Sequence, residues 1–159
     1  MWKVIGVIVL LAAIVGGISR CVASPERGDS GEVVGAGTES VIDIRYGDCL
    51  PKFVLNSSST VSGDLKVVPC SDPHVYEVFG VANSNAVSFN KSAVGTEADN
   101  YCLNAFEKYV GVDFYDSSLN FFNLQPTSGS WGQGDREITC LLANANETSV
   151  TGSYKGSGK

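Results

Sequence analysis

The sequence predicts an α+β fold: a small antiparallel sheet with one main helix packed on it, two disulfides, and a preceding N-terminal transmembrane helix. Three observations lead there. One long stretch, Glu97 to Val110, has helical periodicity. Short runs of β-forming residues flank it on both sides, without the regular alternation of a βαβ fold. Four cysteines, Cys49, Cys70, Cys102 and Cys140, are spread among those runs.

The elements are taken in chain order. Val4 to Ile18 is an unbroken run of apolar residues and glycines between Lys3 and Arg20. A spanning helix needs about 20 mostly apolar residues, and the apolar part of a signal peptide about 7–15. The run sits between the two, and with Trp2 and Ser19 it is long enough to span. We expect an uncleaved anchor over residues 1–20. The competing readings are a signal peptide cleaved near Cys21-Val22-Ala23 and a lipoprotein acylated on Cys21. Arg20 argues against the lipoprotein, because the residue before an acylated cysteine should be small. All three readings place the remaining chain outside the cytoplasm. Lys3 on one side and Arg20 and Arg27 on the other give no orientation by charge.

Residues 21–40 are expected to be a flexible linker. Pro25 to Ser40 carries four glycines with Ser, Glu and Asp between them and no apolar period. The folded domain is expected over residues 41–159. Val41 to Ile44 reads as a first strand ending at the Gly47-Asp48 turn, and Asn56 to Gly63 as a loop. Leu65 to Val68 reads as a second strand stopped by Pro69. Glu77 to Val81 reads as a third, returning beside the second. Ala82 to Thr96 gives no clear signal. In the helix, Tyr101, Cys102, Ala105, Phe106 and Tyr109 form one apolar stripe. Thr96 is the expected N-cap and Gly111 the stop. Leu119 to Leu124 and Glu137 to Leu142 read as strands, with a weak last one over Ser149 to Tyr154.

Charge narrows the function classes. The 159-residue chain carries −6. Lys3 and Arg20 lie in the first 20 residues, so the remainder is two charges more acidic, at −8. Such a domain repels phosphate backbones, which argues against nucleic acid as a partner. Cys21 beside the apolar run leaves an even set of four cysteines. In a small domain behind a membrane signal, these read as two disulfides in an oxidising compartment. Four cysteines allow three pairings. Zinc is disfavoured because no cysteine pair has close spacing and the chain has one histidine. No cofactor is expected.

Two segments stand out: Val68 to Val78, containing Pro69-Cys70-Ser71-Asp72-Pro73-His74, and Trp131 to Cys140, containing Trp131-Gly132-Gln133-Gly134-Asp135-Arg136. With Gly47-Asp48-Cys49 and the tail Gly152 to Gly156, they resemble the septum-formation family of small bacterial membrane-attached proteins. The resemblance covers roughly Tyr46 to Gly156. It matches the Pro-Cys-x-x-Pro-His pattern at Pro69, Cys70, Pro73 and His74, and Trp-x-x-Gly-Asp-Arg at Trp131, Gly134, Asp135 and Arg136. It implies an extracytoplasmic domain on a single-pass membrane anchor. It favours the sequential pairing Cys49–Cys70 and Cys102–Cys140, each bridge stabilising by about 3 kcal/mol.

Six residues are candidates for a binding site: Asp72, His74, Glu77, Trp131, Asp135 and Arg136. His74 invites a catalytic or metal reading, with Asp72 and Glu77 near enough in sequence to orient it. A general base needs a nucleophile or substrate partner, and a metal needs further ligands at fixed spacing. The sequence shows neither, so His74 is expected to hold structure by hydrogen bonding. Trp131 in a Gly-rich loop is either a stacking platform or a plug under the loop. Arg136 is expected to pair with Asp48, Asp72 or Glu77. Three Asn-x-Ser/Thr triplets, at Asn56, Asn90 and Asn146, are common by chance. No P-loop, Gly-x-Ser-x-Gly or His-Glu-x-x-His occurs. The expected function is therefore non-catalytic: an interaction module of the cell envelope, partnered by an envelope protein or a cell-wall component. The alternative is an envelope enzyme or metal-dependent hydrolase centred on His74.

Overall fold

The computed structural model describes residues 23–54, 61 and 63–159. The expected anchor and Cys21 lie outside the described residues, as does most of the loop expected over Asn56 to Gly63. Among the described residues no helix is long and apolar enough to cross a membrane.

The fold is α+β. Among the described residues the strands are β1 (Glu26–Arg27), β2 (Val33–Gly35), β3 (Gly37–Ser40), β4 (Cys49–Leu50), β5 (Asp64–Val67), β6 (Tyr76–Asn83), β7 (Leu119–Leu124) and β8 (Glu137–Asn144). The helices are α1 (Lys91–Val110) and the single turn α2 (Ser128–Gly132). The main sheet runs β4-β6-β8-β7, and every pairing in it is antiparallel. Two small ribbons, β1-β2 and β3-β5, complete the strands.

The two longest strands are buried on both faces, because each face meets a different layer. Phe79 of β6 and Ile138, Cys140 and Leu142 of β8 pack under α1 against Ala98, Cys102, Phe106 and Tyr109. Tyr76 and Val78 of β6 and Leu141 and Ala143 of β8 face the opposite way, against Leu65 and Val67 of β5 and Ile44. The period of two along each strand thus feeds two cores at once. The helix comes unusually close at Gly80, beside a bulge in β6. A Cβ there would lie 3.2 Å from Cys140 Sγ and 3.2 Å from a Tyr101 ring carbon. The missing side chain is what lets α1 reach the sheet and the Cys102–Cys140 bridge close. The second bridge joins Cys49 and Cys70, so the pairing is sequential.

Several expectations need correction. Residues 26–40 are not a solvated spacer but carry β1, β2 and β3, and β3 pairs with β5 over four residues. Glycine content hid them, because their order comes from distant partners and not from local propensity. Val41 to Ile44 is a turn and not a strand: the Asp43 N–H donates to the Ser40 carbonyl, while Ile44 is buried and Ile42 exposed. The third expected strand, β6, does not lie beside the second; it lies between β4 and β8. Helix α1 starts six residues before Glu97. Asn90 caps it by accepting from the Ser92 and Ala93 N–H groups, and Thr96 sits inside it, its hydroxyl donating to the Ser92 carbonyl. Gly111 ends it at φ 92°, as glycine allows. The last expected strand reduces to one bridge between Val150 and His74.

Candidate functional site

The six candidate residues fall into two separate places. The first is the start of β6. His74 is 1% exposed and held on both sides of its backbone by Val150. Its ring Nδ1 lies 2.9 Å from the Asp72 carbonyl oxygen. Because a carbonyl only accepts, Nδ1 carries the proton and donates. Nε2 is then a bare lone pair, and it is buried with no partner. Asp72 supplies this carbonyl and nothing more to the cluster: the residue is exposed.

Glu77 is also 1% exposed. Its carboxylate accepts from the Tyr109 hydroxyl at 2.5 Å, from the Tyr154 N–H at 2.7 Å, and from the Ser153 hydroxyl. It ties α1 and the C-terminal tail to the sheet. The grouping of Asp72, His74 and Glu77 that sequence offered as a catalytic or metal reading is thus split. Two members are enclosed and structural, and one faces solvent.

The tyrosines around the sheet record this burial. Burial, with the Glu147 carboxylate accepting from its hydroxyl, pushes Tyr76 up to about 12. Burial and then the Glu77 charge raise Tyr109 further still. The folded state therefore keeps these protons after the unfolded chain, with tyrosine near pH ~10, has begun to lose them. Their contribution is fully present below about pH 10 and is lost as pH rises towards 12. A denaturation midpoint that is flat below that range and falls above it, in step with tyrosinate absorbance, is the expected result.

The second place lies around α2. Thr127 caps this turn, with Ser130 returning the bond to the Thr127 N–H. Trp131 is 8% exposed and packs on Phe89 with ring centres 5.7 Å apart. It is a plug and not a stacking platform, since its other neighbour is Arg136, whose guanidinium sits 3.6 Å from the ring centre. Arg136 also donates to the Trp131 and Asp135 carbonyls. It pairs with none of Asp48, Asp72 or Glu77. Its role is to clamp the loop that leads into β8.

The partner of Asp48 is Arg27, which sequence reasoning placed in the linker. Its guanidinium makes two bonds to the Asp48 carboxylate, at 2.7 and 2.9 Å, and a third to Glu39 at 2.6 Å. The bond to Asp48 is the main reason the guanidinium holds its proton even more tightly than usual. The Arg45 N–H also donates to Asp48.

Asp135 and Glu137 open onto a cleft of about 820 Å³. Val41, Ile42, Leu124 and Phe89 supply apolar wall, and Gln125, Thr127 and Thr139 supply polar atoms. Glu137 is held in place by the Thr139 hydroxyl at 2.9 Å. Burial, and then the charges of Asp135 and Asp43, raise its pKa. The fold thus favours its neutral form, a contribution present at acid pH and lost as pH rises through the folded pKa. Glu137→Gln should accordingly melt at or above wild type at neutral pH, since the amide oxygen still accepts from Thr139. A lower melting temperature would show that the ionised form is the one the fold stabilises. No periodicity in the sequence signals this cleft, because its walls come from the turn after β3, the segment before α1, and the ends of β7 and β8.

A family model described as septum formation matches residues 46–159, a span that includes both disulfides, His74 and the cleft residues Asp135 and Glu137. No curated protein and no solved structure matches the chain. With the match extending over well more than half of its length, the chain belongs to the septum-formation family.

Proposed function

We propose that the protein is a membrane-anchored, extracytoplasmic binding module of the bacterial cell envelope, serving septum formation or wall assembly, and that the cleft beside Asp135 and Glu137 is its recognition surface. The family membership supports the process. The apolar run Val4 to Ile18 and the two disulfides support the location. The observation that carries the binding reading is the cleft itself. It mixes apolar wall with a few fixed acceptors, the lining expected of a ligand-holding cleft. The partner is an envelope protein or a cell-wall component.

The hydrolase reading centred on His74 loses support on access. A general base must reach its substrate within hydrogen-bond distance, directly or through one water. His74 and Glu77 are each 1% exposed, and Glu77 already accepts three bonds from α1 and the C-terminal tail.

The test is genetic and uses the full-length chain. Ile42 is 56% exposed, so Ile42→Lys together with Glu137→Gln changes the cleft without touching the core. In a strain lacking the wild-type gene, this double variant should accumulate normally and fail to restore septation. Normal septation with the double variant would overturn the assignment of the cleft.

A further inference from the structure

The arrangement at the start of β6 exceeds what a structural histidine needs. Cys49 Sγ, a ring nitrogen of His74 and a carboxylate oxygen of Glu77 all lie within 4.8 Å of one another, and all three residues are buried. The histidine is set up as a metal ligand. Its Nδ1–H is spent on a backbone carbonyl, which fixes the ring and the tautomer, and its Nε2 lone pair is buried without a partner. Ligating histidines are held in this way, by a hydrogen bond from the other ring nitrogen. A carboxylate offers about four acceptor positions, and the bonds to Glu77 use three. One remains.

Cys49 is the element that decides. In its disulfide with Cys70 it has no thiolate to offer. We propose that reduction of Cys49–Cys70 converts this cluster into a three-ligand site for a thiophilic divalent cation, of which zinc fits best. The reduction breaks the S–S bond with two electrons from a phosphine or dithiol reductant and leaves two thiols. The cation then displaces the proton from each thiol that ligates it. Cys49 thiolate, the His74 imidazole and the Glu77 carboxylate supply three ligands. Cys70 Sγ is not part of this cluster, so water takes the fourth position. Thiolate, imidazole and carboxylate form a zinc set; magnesium and calcium take oxygen alone. Closing to metal–ligand distances of about 2.0–2.3 Å asks the side chains to move by roughly 1 Å.

The fold makes the switch selective. Cys70 is only partly buried, whereas Cys102 and Cys140 are fully buried. A reductant thus meets the Cys49–Cys70 bridge first. Sequence spacing argued against zinc because no two cysteines lie close in the chain. The pairing of β4 with β6 brings Cys49 across to Glu77 and supplies what spacing did not.

Cobalt(II) is the probe, because thiolate ligation and tetrahedral geometry both show in its absorption. The experiment uses the full-length chain in detergent, carrying Cys21→Ser so that the remaining single thiol does not contribute. The oxidised protein should give no thiolate-to-metal band. After phosphine treatment it should bind one equivalent, which zinc then displaces. His74→Asn keeps the bond to the Asp72 carbonyl but removes the ligand, and should weaken binding at least tenfold. Cys70→Ala leaves Cys49 free in the folded chain, so it should bind without any reductant, while Cys49→Ala should not. Because Cys70→Ala needs no reduction, it decides the matter even if reduction unfolds the protein. No band in folded Cys70→Ala, or unchanged affinity in His74→Asn, would overturn the proposal.

Discussion

Arg27→Ala is expected to destabilise the domain by about 3–5 kcal/mol, the range for removing one partner of a buried charge pair. The side chains concerned are nearly sealed: Arg27 is 13% exposed, Glu39 11% and Asp48 2%. Without the guanidinium, Asp48 keeps, among the described residues, the Arg45 N–H as its donor, and Glu39 loses its close cation. Two carboxylates then face each other in a poorly solvated corner. The pair is not itself a large source of net stability, since desolvation offsets most of the attraction. The cost arises from the stranded acids. The double variant Arg27→Ala/Asp48→Ala should therefore recover part of the loss, a coupling that urea titration at constant m-value reads directly. Additive losses would mean that Arg27 and Asp48 act independently.

Removing the Cys102–Cys140 bridge as Cys102→Ala/Cys140→Ala should cost about 4 kcal/mol by the loop-entropy estimate for its separation of 38 residues. For Cys49–Cys70, with a separation of 21, the same estimate gives about 3 kcal/mol. The first loss should exceed the second for a further reason. Cys102 and Cys140 sit fully buried between α1 and β8, where Gly80 has let the helix approach. Truncating both leaves space that the two flanking elements fill only by moving. Equal losses in chemical denaturation would show that the helix packs as well without its staple.

The parts of this fold that sequence revealed are those written in local pattern. The apolar stripe through Tyr101, Cys102, Ala105, Phe106 and Tyr109 marked α1, and Gly111 marked its end. The run Leu119 to Leu124 became β7 without a shift at either end. Two cysteine-bearing motifs marked a family, and the family marked the disulfide pairing. What sequence hid was written between distant segments. Residues 26–40 look like a spacer because nothing in them repeats. Their strands exist because β3 finds β5, and Arg27 finds Glu39 and Asp48. Arg136 was sought as an ion-pair partner, but the indole of Trp131 lies five residues away on the same loop and takes its guanidinium. The candidate site divided for the same reason. His74 and Glu77 lie within one short segment and became core, while Asp135 and Glu137 met Val41, Ile42 and Leu124 only through folding.

The central claim is that the protein acts by binding at the cleft and not by chemistry at His74. Site-specific photocrosslinking in living bacterial cells tests it most directly. A photoreactive residue is placed at Ile42, on the cleft wall, or at Asp72, on the exposed surface beside His74. The account predicts a discrete envelope adduct from position 42 that Glu137→Gln diminishes, and none from position 72. An adduct from position 72 with position 42 silent would contradict it, and would place recognition at the His74 end of the sheet.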